Sequence, residues 1–305
     1  MTGNRDTTWT HSNGVFWPRE LAKDLQNVRI MTFGYDADVI KLWGMAGSNT
    51  LRGHGKDLAF AISDRRRDCR SRPVIFIAHS LGGLVCEQAL LICREGTPNL
   101  EKVFEYTRGI IFMGTPHAGA ELAVWGRTLA KYLNVVRRTN SAILGVLEQK
   151  SEVLTAVQQQ FQQLLRKPGV NIEIFCFFES HAVFGVGIIV PEQSAVLNQY
   201  PSQSLAADHM HMTKFSGRND EGYQRVLGRV HDYMELMPPA KRQKISQEPA
   251  ADSGLEPIPV RSYEISTGTA AQPGFVASQT ISSTGSGTAI GIGSQNVQGG
   301  LHIRT

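Results

Sequence analysis

The sequence predicts an α/β protein built on a mostly parallel sheet with helices on both faces. Two observations predict it. Four short apolar runs, "VRIMTFGY" (28–35), "PVIFIAH" (73–79), "GIIFMGT" (109–115) and "IEIFCFF" (172–178), each end in Gly, Pro or polar residues. Strands buried on both faces read as such runs rather than as strict apolar/polar alternation. Helical patterns lie between and after them: "GKDLAFAISDRRRDC" (55–69), "LGGLVCEQALLICRE" (81–95), the long stretch 142–167, and "EGYQRVLGRVHDYMELM" (221–237). Strand–helix alternation of this kind needs crossover connections, and these produce a parallel sheet.

The chain has 305 residues, ample for a sizeable core, with 41% hydrophobic and 19% charged residues. A net charge of +4 is too mild to point to nucleic acid as a partner. Cys69, Cys86, Cys93 and Cys176 follow no zinc spacing and sit in apolar or helical stretches. They read as reduced, buried thiols, and no metal or cofactor is expected. The opening "MTGNRDTTWTHSNG" has no apolar signal core, and no apolar run reaches the length of a membrane span. A cytoplasmic location is expected.

Composition shifts twice. Residues 1–237 carry the apolar runs and form the folded head. Residues 238–264 hold Pro, charge and small polar residues and read as a linker, in which "KRQK" (241–244) reads as a solvated charge cluster. From Ile265 to the end Arg304 is the only formal charge. That third segment, 265–305, is rich in Gly, Ser, Thr, Gln and Asn.

"PVIFIAHSLGGL" (73–84) carries the strongest chemical signal. An apolar strand runs into His79-Ser80-Leu81-Gly82-Gly83 and a helical pattern follows at once. This is the strand–turn–helix context of a nucleophile elbow, and Ala78 and Gly82 are the small residues its tight turn requires. The elbow presents the Ser80 hydroxyl at the carboxyl end of the sheet. It also aims the Leu81 amide and the positive end of the helix at a developing oxyanion. The competing reading is a helix-capping serine.

A serine nucleophile needs a base, and the base an orienting carboxylate. In a fold of the α/β-hydrolase type the chain order is Ser, acid, His. His209 and His211 in "LAADHMHMTKF" lie where the base is expected, before the final helix; His181 fits the acid loop, His231 a helix surface, and His302 the tail. Glu179, the first residue past "IEIFCFF", ranks first as acid, with Glu192 and Asp208 as rivals.

"TWTHSNGVFWPREL", "RIMTFGYDADV", "FIAHSLGGLV", "FMGTPHAG" and "NQYPSQSLAADHMHMTKFSGRND" resemble the serine-hydrolase domain of fungal NLR-associated proteins, the SesB-like group, over roughly residues 8–236. The resemblance implies Ser80 as nucleophile, His209 as base and Glu179 as acid, and it makes "GTPHAG" the lip of a lipase-like site. Members of that group open with a further apolar strand ending in a His-Gly loop, which supplies the second oxyanion donor. Here both are missing, leaving only Gly3 and Asn4 as local substitutes and a gap in the sheet beside the nucleophile strand.

The core of the tail lies near 287–300. In "IGIGSQN" (290–296), Ile290 and Ile292 share one face of an extended chain, separated by Gly291 and followed by Gly293. Stacked in register they form a dry zipper, with Gln295 and Asn296 as amide ladders. A lone copy lacks a partner strand, so disorder in the monomer is expected. The motif is similar to RHIM-type amyloid cores and to the fungal pseudo-palindromic motif, with Gly291 at the usual Gln position. The two resemblances together imply a cell-death effector. An NLR-type receptor with a matching motif templates the tail, self-assembly activates the head, and a membrane lipid is the substrate or target at the plasma membrane. The alternatives are a cytosolic esterase or thioesterase with an inert tail, and a pseudoenzyme that binds membrane or partner.

Overall fold

In the computed structural model, described here for residues 6–25, 27–36, 47–117, 125, 128, 151–236 and 288–296, the apolar runs become strands of one sheet. They are β1 (Val28–Asp36), β2 (Val74–His79), β3 (Thr107–Met113) and β4 (Glu173–Glu179), followed by β5 (Ser202–Leu205) and β6 (Thr288–Asn296). The sheet order is β1-β6-β2-β3-β4-β5, and every pairing is parallel. The expected α/β class is what the structure shows.

Side-chain alternation sorts the core onto two faces. Val74, Phe76 and Ala78 of β2, Ile110 and Phe112 of β3, and Ile174 and Cys176 of β4 join one cluster. Their neighbours Ile75, Ile77, Ile111, Met113, Phe175 and Phe177 join the other. The first cluster also takes residues of α2 (Gly47–Asp64), α3 (Leu81–Arg94), α4 (Pro98–Glu105) and α5 (Ser151–Leu165). The second takes α1 (Trp17–Asp24) and α7 (Glu221–Glu235). A short helix, α6 (Glu192–Ala195), sits between β4 and β5 in sequence. Of the expected helix 142–167, Ser151–Leu165 is described and 142–150 lies outside the described residues. Cys86, Cys93 and Cys176 are free and buried, while Cys69 is only partly buried.

Helix α7 docks closely because Gly109 has no side chain. A Cβ there would lie 2.1 Å from the Tyr233 ring. Gly109→Ala should destabilise the fold by about 1–3 kcal/mol through overpacking, read as a lower urea midpoint at unchanged slope.

The tail departs from expectation. Residues 288–296, read as strandless in a single chain, form β6 between β1 and β2. The physical reason is backbone pairing. β1 and β2 do not pair with each other, so each would leave a row of N–H and C=O groups open across the gap, and an inserted strand satisfies both rows. The linker 238–264, the remainder of the tail, Gly3, Asn4 and His302 lie outside the described residues.

Candidate active site

A parallel sheet gathers the carboxyl ends of its strands along one edge, and four functional positions lie there. Ser80 follows β2, Gly114 follows β3, Glu179 ends β4, and His209 lies four residues past the end of β5. β4 and β5 bring Glu179 and the loop that carries His209 together, since Glu179 pairs with Leu205, Ser180 N–H donates to the Leu205 carbonyl, and His181 N–H donates to that of Ala207.

Ser80 has φ 53° and ψ −128°, in the left-handed half of backbone space that non-glycine residues seldom occupy. Its N–H donates to the Met113 carbonyl, and α3 starts at the next residue. The side chain makes no capping bond to the helix. Its hydroxyl instead meets His209 Nε2 at 2.9 Å, which argues against the capping reading. Gly83 explains the second glycine of the elbow: a Cβ there would fall 2.2 Å from Thr115 Oγ1. Leu81 is the first residue of α3, so its N–H has no partner within the helix and is available to an oxyanion.

Glu179 divides its two oxygens. Oε1 accepts from the Ile189 and Val190 amides at 2.5 and 2.6 Å. Oε2 lies 3.3 Å from His209 Nδ1, and among the described residues neither atom has another hydrogen-bond partner. The contact is long for a hydrogen bond, as catalytic contacts often are before substrate tightens them. With the His209 proton on Nδ1 facing the carboxylate, Nε2 is free to accept from Ser80. All three residues are buried.

The rivals point elsewhere. Glu192 is exposed on the first turn of α6. Asp208 accepts from the Met210 and His211 amides and from His211 Nδ1, so it shapes the turn that carries His209. His211 is therefore tied to Asp208 on the surface, and His181 and His231 are exposed. Trp17 and Thr8 of the N-terminal segment hold the same loop. Trp17 Nε1–H donates to the Thr213 carbonyl at 2.8 Å, and Thr213 Oγ1–H donates to that of Thr8 at 2.9 Å.

Two positioning residues escaped the reading of the sequence. His79, beside Ser80, donates from Nε2–H to the His209 carbonyl at 2.9 Å, with the two rings 4.9 Å apart. Burial, and then the nearness of His209, push its basicity well below the usual range, so it stays neutral next to the His209 imidazole. The sequence signal was only its place before Ser80. Gly114 has φ +58°, and a Cβ there would stand 3.0 Å from His209 Nδ1 and Cε1. Gly114→Ala should therefore lower kcat about 10²-fold with little change in KM, measured by steady-state ester hydrolysis.

His117 of "GTPH" is a buried side chain. Its Nδ1 is 3.0 Å from Glu87 Oε1, both side chains are buried, and its ring meets Phe112 edge-on. Burial lowers its basicity, but the nearness of Cys176 and Glu87 outweighs this and pushes it up to about 9. Among the described residues no group of three or more His, Cys, Asp or Glu side chains is placed to hold a metal ion, and no helix is long and apolar enough to cross a membrane.

Fold and site together define an α/β protein in which a serine, a histidine and a glutamate meet at the carboxyl edge of a parallel sheet. No family model matches the chain. It is similar to Protein SERAC1 of Bos taurus, 28% identical over 226 residues, covering 71% of this chain and 33% of that protein. The Homo sapiens protein of that name is 28% identical over 221 residues, covering 69% and 32%. The chain thus spans about a third of the length of these relatives. Among solved structures it is similar to the RedJ thioesterase of prodiginine biosynthesis in Streptomyces coelicolor, at 14% identity and TM-score 0.34, covering 68% of this chain and 85% of that one. The surfactin thioesterase domain SrfTE matches at 14% identity and TM-score 0.29, covering 71% and 94%.

Proposed function

We propose that the head is a serine hydrolase acting on acyl esters or thioesters. The observation that carries this reading is the Ser80 hydroxyl 2.9 Å from His209 Nε2, with Glu179 on the other ring nitrogen. Ser80 Oγ attacks the carbonyl carbon while its proton passes to His209 Nε2. The Leu81 amide faces the resulting oxyanion, and Glu179 supports the imidazolium. Collapse expels the alcohol or thiol, which takes the proton from His209. Water, deprotonated by the same histidine, then releases the acid and restores Ser80. A fluorophosphonate probe tests this directly. Labelling at Ser80 that is lost in Ser80→Ala and His209→Ala supports it, and an unlabelled full chain at neutral pH rejects it.

The finer reading concerns biological role. We propose that membrane lipid is the ester and that the tail is the element through which copies assemble, on a template offered by an NLR-type receptor. The absence of charge from Ile265 to Ile303 and the Ile-Gly-Ile-Gly spacing support it. Seeded full-length protein should form thioflavin-positive fibrils, and persistent solubility under seeding would remove this role and leave an esterase.

A further inference from the structure

We propose that the C-terminal strand β6 completes the active site, by filling the sheet beside the nucleophile strand and supplying the second backbone donor to the oxyanion. This rests on the serine-hydrolase reading.

The register carries the argument. β6 pairs with β2 from Val74↔Ala289 to Ala78↔Gly293 and no further. Its pairing with β1 continues through Gly34↔Ser294, Tyr35↔Gln295 and Asp36↔Asn296. The last three residues of β6 therefore extend past the point where β2 has turned into the Ser80 elbow. In a strand, successive residues direct their backbone N–H and C=O alternately to the two flanks. At least one N–H among Ser294, Gln295 and Asn296 thus points toward the β2 flank, where the elbow has replaced the ladder. An amide at that place sits across the nucleophile from the Leu81 amide, the position of the second donor in an oxyanion hole built on an elbow. The head has no other described strand between β1 and β2, so the donor comes from the far end of the chain.

The same geometry sets a switch. In the sheet, both flanks of residues 289–293 are paired, with β1 and with β2. A fibril needs those same backbone groups for stacking. Docking and stacking exclude each other, so the docked monomer is the competent hydrolase and the stacked chain is the slower one.

Three measurements on the full chain test this. Hydrogen exchange of the wild-type monomer should show residues 288–296 protected; free exchange in a monomer that hydrolyses p-nitrophenyl butyrate overturns the proposal. Ile292→Pro, which cannot donate in a central strand, should slow that hydrolysis about 10²–10³-fold, and a synthetic peptide of residues 286–305 should restore it. A variant that turns over at the wild-type rate overturns it. Wild-type chains seeded into fibrils should lose a similar factor, and fibrils as fast as monomers overturn it without any substitution. A wild-type chain that never labels at Ser80 overturns the hydrolase reading and the donor role with it, a result distinct from unprotected amides in an active enzyme.

Discussion

Ser80→Ala is expected to reduce ester turnover by about 10⁶-fold while the unfolding transition is retained. The hydroxyl is the only group in the described site positioned to attack a carbonyl and pass its proton to His209 Nε2, 2.9 Å away. His209→Ala should cost about as much alone, and the double variant no more, because the two act as one unit. Glu179→Gln should lower kcat by about 10⁴-fold. An amide in place of the carboxylate retains the bonds from Ile189 and Val190 but no longer stabilises the imidazolium. Glu192→Gln should leave kcat unchanged, since that carboxylate is exposed on α6. Burst kinetics with a p-nitrophenyl ester separate these cases. A Glu192→Gln loss matching that of Glu179→Gln would reassign the acid.

Glu87→Ala is expected to destabilise the fold by about 3–5 kcal/mol, because it strands a buried imidazolium. His117 and Glu87 are each 1% exposed and 3.0 Å apart. The pair also predicts a pH dependence. His117 titrates at about 9 in the folded chain against an ordinary value of 6.5. Between those values the folded chain holds a proton that the unfolded chain has released, so this contribution is full below about 6.5 and is lost as pH rises through about 9. The loss amounts to about 3 kcal/mol across that window. Urea titrations at pH 6, 7.5 and 9.5 should show the decline, and Glu87→Gln should make it shallower. An unchanged slope in Glu87→Gln would place the titration elsewhere.

Much of the site was legible in one dimension because its signals are local. The elbow needs small residues two positions either side of Ser80, and Ala78 and Gly82 stand at those places in one five-residue stretch. Glu179 was readable as the residue that ends an apolar run, and His209 as a histidine ahead of the last amphipathic helix. β5 was not legible. "SQSL" is an edge strand with a single buried residue, so it lacks the apolar run that marks β2 to β4. Helix α1 is eight residues long and held by Trp17 and Leu21, too few apolar positions to establish a period.

The sequence by itself determined the α/β alternation and marked Ser80, Glu179 and His209, which the fold brings together, since apolar periodicity and turn chemistry are written within a few residues. Only the tertiary structure decided that His79 bonds the His209 carbonyl, that Gly114 makes room for the His209 ring, and that residues 288–296 lie between β1 and β2. Those outcomes depend on which distant segments leave backbone groups unpaired or space unfilled. The slot that takes β6 is made by two strands more than 200 positions away in the chain, and no spacing inside "TAIGIGSQN" records that they left it open.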